Sequence, residues 1–180
     1  MNYIIFDLEA TCQKNDNSFI NEIIEIGAVK INRNLETIST FDLFIKPIVN
    51  TVLTDFCKEL TTIQQSDVIN ADLFSIGIEK FKDWIGIYEE DYVLCSWGFY
   101  DKKQIEKDSL LHKINGSWSK KHISLKHQFS DIKNIKPCGM QKALNILNLK
   151  LKGTHHRGID DALNIAEIFK SCFGEWKFNY

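Results

Sequence analysis

The stretch YIIFDLEAT, residues 3–11, contains a short apolar run that ends abruptly in two acidic residues. Residues 3–6 are large and apolar, a pattern typical of a strand that is buried on both faces. Asp7 and Glu9 lie two positions apart, so an extended backbone projects both carboxylates from the same face. Two such close carboxylates repel each other unless a cation joins them. Taken alone, the pair is more typical of a solvated strand end than of a catalytic site.

Further apolar runs and helical patterns follow along the chain. Strands are predicted at 23–31 and 41–45, with a hairpin turn between them, and at 92–96 and 123–125. Helices are predicted at 55–60, 63–69, 72–84, 126–131, 140–147 and 159–173, and one follows the strand at 92–96 to about Leu111. Thr54 and Asp72 are the predicted N-caps of their helices. The sequence therefore predicts an α/β protein with one mixed sheet.

Length and composition are those of an ordinary soluble domain. The 180 residues are 44% hydrophobic and 26% charged, which is enough to bury one core and excludes a disordered chain. The net charge of −2 excludes an overall basic field that would collect duplex nucleic acid. Any contact with nucleic acid is therefore expected to be local.

Cysteine usage and hydropathy indicate a reduced, non-membrane environment. The five cysteines form no C-x-x-C pair, so free thiols are expected rather than a zinc site or a disulfide framework. No apolar run of 18 residues is present, and the N-terminal run is too short for a signal peptide. We expect a cytoplasmic protein that makes no membrane contact.

Two other segments carry acidic residues at places where chemistry is expected. Asp101 ends the stretch SWGFYD, directly after a predicted buried strand, although it also suits the first turn of a helix. In HHRGIDDA, residues 155–162, Asp161 projects inward from the last helix and His156 lies in the preceding loop. Asp160 is expected to cap that helix.

Four carboxylates and one histidine suit metal-dependent phosphodiester chemistry. Hard divalent cations such as Mg²⁺ prefer carboxylate oxygens, and two such ions can clamp the attacking and leaving oxygens of a phosphodiester. A histidine titrates near neutral pH, so His156 is the candidate general base for the attacking water.

The segments FDLEAT, SWGFYD and HHRGIDDA resemble the three motifs of the DEDDh subgroup of the DEDD exonucleases, whose fold resembles that of RNase H. Asp7 and Glu9 match the first motif, Asp101 the second, and His156 with Asp161, five positions later, the third. His155 and Asp160 are out of register.

Four longer stretches are similar to one branch of that subgroup, which contains the histone-mRNA and small-RNA trimming exonucleases and bacterial KapD-type proteins. They are EIIEIGAV at 22–29, LTDFCKELTTIQQ at 53–65, SWGFYDKKQI at 96–105 and HHRGIDDALNIA at 155–166. Thr62 stands where this branch often has glycine. The resemblance implies one exonuclease domain over residues 1–180, built on a five-stranded mixed sheet whose first three strands are antiparallel.

The resemblance also implies the reaction and its cofactors. Terminal phosphodiester bonds of single-stranded nucleic acid, RNA favoured over DNA, would be hydrolysed from the 3′ end to release nucleoside 5′-monophosphates. Asp7, Glu9 and Asp161 would hold two Mg²⁺ or Mn²⁺ ions, Asp101 would support the second ion, and His156 would act as general base. No obligate protein partner is implied.

Some predicted substrate contacts come from the family segments. The backbone at Ala10 and Thr11 would approach the terminal nucleotide, with Thr11 meeting its 3′-hydroxyl; an ordinary turn threonine is the alternative. Leu60, Thr61 and Gln64 would flank the terminal base, with Leu60 as an apolar wedge or, alternatively, a core residue.

Two further contacts are predicted from residue type. Trp97 adjoins the second motif and suits stacking near the scissile nucleotide, with a core position as the alternative. Arg157 suits a bidentate contact with a phosphate, with a surface pair to Asp160 as the alternative.

Three rival functions remain open on the sequence alone. The same carboxylates would serve a DNA-directed proofreading or repair exonuclease. The scaffold would also serve a non-catalytic nucleic-acid-binding regulator, or a phosphodiesterase that acts on small nucleotides.

Overall fold

The computed structural model describes residues 1–16 and 18–179, in which six strands form one mixed sheet in the order β4-β3-β2-β1-β5-β6. The strands are β1 (Asn2–Ala10), β2 (Ile23–Ile31), β3 (Thr37–Lys46), β4 (Asp72–Leu73), β5 (Tyr92–Ser96) and β6 (His122–Ser124). The helices are α1 (Asp55–Thr61), α2 (Gln65–Ile69), α3 (Phe74–Ile85), α4 (Tyr100–Leu111), α5 (Leu125–Lys133), α6 (Met140–Ile146) and α7 (Gly158–Ser171).

The central strand β1 pairs with neighbours of opposite sense. It runs antiparallel to β2, which runs antiparallel to β3, and this confirms the prediction for the first three strands. On its other side β1 is parallel to β5, which is parallel to β6. Because β1 and β5 are parallel, their carboxyl ends meet at one edge of the sheet. The segments that follow both strands are thereby brought together.

The predicted number of five strands is wrong, because β4 is a sixth strand at the edge of the sheet. It pairs in parallel with Ile45 and Lys46 of β3. The prediction placed both residues of β4 in a helix that began at Asp72, whereas α3 begins at Phe74 after the extended residue Leu73. Two residues are too few to show a period, and the strand exists only through its pairing with β3.

Both faces of the sheet are buried. Tyr3 and Ile5 pack on one side with α7, and Ile4 and Phe6 pack on the other side with α3. Each buried side chain of this size contributes roughly 1.5–3 kcal/mol from apolar burial. Burial on both sides explains why β1 is almost continuously apolar until it reaches Asp7.

Thr62, the residue that departs from the family pattern, ends α1 in the left-handed region with a φ of 64°. Glycine adopts this conformation without the steric cost that a β-branched side chain adds, which accounts for the glycine that the family often has there.

The five cysteines are free thiols, as expected. Among the described residues, no helix is both long enough and apolar enough to span a bilayer.

Candidate active site

Carboxylates from distant parts of the chain meet at the carboxyl end of β1. Oxygens of Asp7, Glu9 and Asp161 lie within 4.8 Å of one another. The first two project from one face of β1, and Asp161 enters from the first turn of α7. Three oxygen ligands at this spacing suit one hard divalent cation.

These acids line a cleft of about 330 Å³. Its polar lining is Asp7, Glu9, Asp101, Asp161, His155 and His156. Its apolar lining includes Trp97, Tyr100, Met140 and Ile165. The five predicted catalytic residues therefore share one cleft.

Asp101 lies in the first turn of α4 and is 5% exposed. Its Oδ1 accepts a hydrogen bond from the backbone N of Leu8 at 3.2 Å. Asp101 is thus both an acid of the cleft and an acid of a helix N-terminus. The bond to Leu8 holds it against the strand that carries the other acids.

The electrostatics of the cleft are those of acids without counter-charges. Burial, then the charge of Asp101, raises the pKa of Asp7 well above its ordinary value. Burial raises the pKa of Glu9 to about 8, and the charge of the neighbouring Glu25 is the second cause of this shift. Burial likewise raises the pKa of Asp101 to about 6, although its hydrogen bonds oppose the shift. A bound cation would favour the ionised forms that burial disfavours.

The histidine loop is tied to Asp161 by both of its histidines. Nδ1 of His155 lies 3.0 and 3.1 Å from the two carboxylate oxygens of Asp161, and the backbone N of His156 donates to Oδ2 at 3.1 Å. The two imidazole rings stack with centroids 3.9 Å apart. Burial lowers the pKa of His156, and the charge of the neighbouring His155 lowers it further.

His155 is a site residue that the motif spacing missed. It stands out of register with the family pattern, yet its ring lines the cleft and contacts Asp161. The only indication in the sequence is that His155 directly precedes His156, so its imidazole can reach the same carboxylate, that of Asp161.

Arg157 pairs with an acid that the sequence analysis did not single out. Its Nη2 lies 3.1 Å from Oε1 of Glu25, and its Nε lies 3.3 Å from both carboxylate oxygens. Glu25 is fully buried. The alternative pair with Asp160 is wrong in this structure, because Asp160 instead accepts a hydrogen bond from the backbone N of Thr154 at 2.7 Å.

Gly27 allows α7 to approach β2 closely. It lies opposite Asp7 in the strand register, and a Cβ placed on it would lie 2.0 Å from the backbone of Gly158 and Ile159. A side chain at this position would therefore push the start of α7, and Asp161 with it, away from β1. The sequence EIIEIGAV contained this signal, but only the contact with α7 gives it a meaning.

Trp97 lines the cleft, and its indole Nε1 donates to the backbone O of Cys138 at 3.0 Å. It also packs against the core on the α7 side, so the core alternative holds in part, and stacking near the scissile nucleotide stays a prediction. Tyr100 lines the same cleft and is 52% exposed, so it is a further candidate for substrate contact that the sequence analysis did not name.

The residues directly after β1 are engaged within the protein. The hydroxyl of Thr11 accepts from the backbone N of Glu22 at 2.9 Å, and the side chain is buried. The backbone O of Ala10 accepts a weak bond from Sγ of Cys57 at 3.7 Å. These contacts give Thr11 a structural role beside its predicted meeting with the 3′-hydroxyl.

The predicted flank of the terminal base lies at the end of α1 and the start of α2. Leu60 is 37% exposed, so it is not a core residue. Thr61 is buried and donates to the backbone O of Cys57 at 2.9 Å. Gln64 caps α2 and donates to the backbone O of Thr62 at 2.9 Å. Leu60 and Gln64 are exposed and offer surface to a base, whereas Thr61 does not.

A comparison with known families and structures matches this architecture. The RNase_T family, described as Exonuclease, matches residues 4–169. The structure titled as the nuclease domain of 3′hExo, a DEDDh family member, bound to rAMP, has a TM-score of 0.94 and 30% sequence identity. The superposition covers 99% of this chain and 96% of that one.

Curated relatives show the same similarity. The 3′-5′ exoribonuclease 1 of Homo sapiens is 34% identical over 175 residues, which are 91% of this chain and 50% of the relative. The ERI1 exoribonuclease 3 of Homo sapiens is 32% identical over 183 residues, 94% of this chain and 52% of the relative. The chain thus spans about half the length of these relatives.

Proposed function

The chain belongs to the exonuclease family, in its DEDDh group, and from that membership we propose that it is a 3′→5′ exonuclease of single-stranded RNA. It hydrolyses the terminal phosphodiester bond and releases nucleoside 5′-monophosphates. The observation that supports this most strongly is the convergence of Asp7, Glu9 and Asp161 within 4.8 Å, in the same cleft as Asp101 and His156.

RNA is the proposed substrate because the relatives named above are exoribonucleases, and one similar structure is described with bound rAMP. Residues 1–180 are proposed to act as one exonuclease domain. Two apolar clusters on opposite faces of one sheet support this, because neither face could be buried without the other elements of the chain.

The donor set fits hard divalent cations, and we assign two ions, Mg²⁺ or Mn²⁺. Asp7, Glu9 and Asp161 would hold them, and Asp101 would support the second. The raised pKa values of the first two acids fit this assignment, since these carboxylates are crowded by like charges and lack a counter-charge. When bound, the ions would supply the positive charge that activates the attacking water and stabilises the leaving oxygen.

The side chains of the cleft then divide the remaining tasks. His156 accepts the proton of the attacking water from the flank of the carboxylate cluster. Trp97 and Tyr100 offer aromatic surface on which the terminal nucleotide can stack, and Leu60 is the apolar wedge beside its base. Thr11 and the backbone at Ala10 border the ribose, and Thr61 and Gln64 support the wedge.

The test is the shortening of a 5′-labelled RNA strand by purified protein with Mg²⁺ or Mn²⁺, beside a DNA strand of the same sequence. We expect a stepwise ladder from RNA, release of 5′-monophosphates, and no cleavage of a circular RNA of the same sequence. Asp7→Asn is the matched control, because it keeps the side-chain shape and removes the charge. Absence of shortening with both metals would refute the proposal, and preference for DNA would favour the repair alternative.

A further inference from the structure

Glu25 is a buried acid that lies next to the catalytic carboxylates and is hydrogen-bonded to the start of α7. It lies opposite Glu9 in the register of β1 and β2. Its carboxylate receives Nε and Nη2 of Arg157 at 3.1–3.3 Å and the backbone N of Gly158 at 2.9 Å. One carboxylate therefore holds two successive residues at the start of α7.

These two residues directly follow His156. The backbone of His156 has a φ of 65°, a left-handed conformation that is costly for a side chain other than glycine. Such a conformation persists where the surrounding contacts determine it. The amide of His156 donates to Asp161 at 3.1 Å, and the residues that follow are held by Glu25.

The guanidinium of Arg157 is further enclosed by Phe44, whose ring centroid lies 5.4 Å away on β3. A charge-assisted contact with two donors fixes orientation as well as distance, which a single point charge does not. The ion pair therefore connects two adjacent strands of the sheet with the loop that carries the histidine.

We propose that Glu25 and Arg157 are positioning residues for His156, which hold the loop so that its imidazole stands beside the carboxylate cluster. This inference rests on the proposed function. It gives Arg157 a role different from binding a phosphate. It also gives Arg157 the task of neutralising Glu25, so that this acid stays out of the metal-binding set.

The test is a double-mutant cycle on kcat for a short RNA strand at saturating metal, with Arg157→Gln, His156→Ala and the double variant. We expect Arg157→Gln to lower kcat about 10- to 100-fold with little change in KM, the scale of a misplaced catalytic group. In the His156→Ala background the same change should have almost no further effect. If Arg157→Gln lowered kcat by the same factor in the wild-type and His156→Ala backgrounds, the inference would be overturned. An effect on KM alone would overturn it as well.

Further measurements separate positioning from general damage to the fold. Glu25→Gln keeps the volume and an acceptor for Gly158, and should show the same non-additivity with a smaller loss of kcat. Metal affinity should stay within a few-fold in both single variants. Lys152→Gln, which breaks an exposed pair with Glu167 of α7, is the matched control and should leave kcat unchanged.

The cycle also separates this inference from the proposed function. An inactive wild-type protein would refute the proposed function itself. An active wild-type protein in which the two factors multiply would refute the inference alone.

Discussion

Two glutamates of this chain, Glu9 and Glu22, are both buried, but their carboxylates have different neighbours. The carboxylate of Glu22 accepts hydrogen bonds from the three successive backbone amides of residues 48–50 at 2.7–3.1 Å. Glu9 is also buried, and burial, together with the charges of Glu25, Asp161 and Asp101, raises its pKa to about 8. Both residues are buried glutamates, but the neighbouring groups are hydrogen-bond donors for Glu22 and like charges for Glu9.

A buried acid that the protein itself satisfies can be told apart from one that invites a cation by the groups around it. Three amide donors are matched to one carboxylate when the chain folds, so Glu22 is satisfied by the protein itself. Glu9 has like charges around it, and burying it without a partner costs free energy that an external cation can return. Glu22 therefore holds the loop at residues 48–50, whereas the charge of Glu9, a proposed metal ligand, is left for a cation to neutralise.

Asp7→Asn is expected to show the largest effect, because it removes one of the unpartnered charges. Activity on RNA should fall by about 10³-fold or more, as when a member of a catalytic group is lost. The metal-free protein should become more stable, because a buried like charge disappears while the shape is kept. Kinetics and thermal unfolding without metal test both parts. A destabilised variant would mean that Asp7 is satisfied within the protein.

Glu22→Ala should have the opposite signature. It leaves three partly buried amides without their acceptor and should lower the free energy of unfolding by about 1–3 kcal/mol, the scale of lost hydrogen bonds to a charged group. Activity per folded molecule should be unchanged. Urea unfolding and kinetics below the transition measure the two quantities. Glu22→Gln, which keeps an acceptor oxygen, is the control and should lose less. A drop in kcat without a drop in stability would contradict the comparison.

The pH dependence of metal stabilisation sharpens the contrast. Burial raises the pKa of Glu9 in the metal-free folded protein to about 8, whereas the unfolded chain releases this proton near the ordinary pKa of 4.5. The folded state therefore binds more protons in this window, and its stability falls as pH rises through it. A cation binds the ionised form, so the increase in Tm caused by Mg²⁺ should be larger at pH 8 than at pH 6. An equal increase at both pH values would count against Glu9 as a ligand.

Thr11→Val is expected to give the smallest effect and decides between two roles of one hydroxyl. If the bond from the backbone N of Glu22 is its main task, stability should fall by about 1 kcal/mol and KM for RNA should stay the same. If the hydroxyl also meets the ribose, KM should rise as well. Comparing KM for RNA between the variant and the wild-type protein is the measurement.

Much of the site was predictable because its signals are local. An apolar strand that ends in Asp7 and Glu9, an acid after the next parallel strand, and a histidine five positions before Asp161 all lie within single segments. Periodicity gave β1, β2, β5 and α7, because these elements are long or fully buried. The predicted catalytic residues accordingly line one cleft.

The rest depends on contacts between distant segments. Strand β4 is defined by its pairing with β3. The roles of Gly27 and Glu25 can be recognised only from the contacts that α7 makes with β2. The choice of Glu25 rather than Asp160 as the partner of Arg157 is of the same kind, because sequence proximity favoured the wrong acid. A pattern within one segment carries no information on which segment will face it.

The meeting of Asp7 with Asp161 has a consequence for the order of events during synthesis. The first acid leaves the ribosome early and the second late, and N-terminal segments emerge first. Until α7 has docked on β1 and β2, the cluster lacks one of its three closely spaced carboxylates. A nascent chain therefore has no complete carboxylate cluster until α7 has been synthesised and has docked, and under the proposed function it would not attack the message being translated before that point.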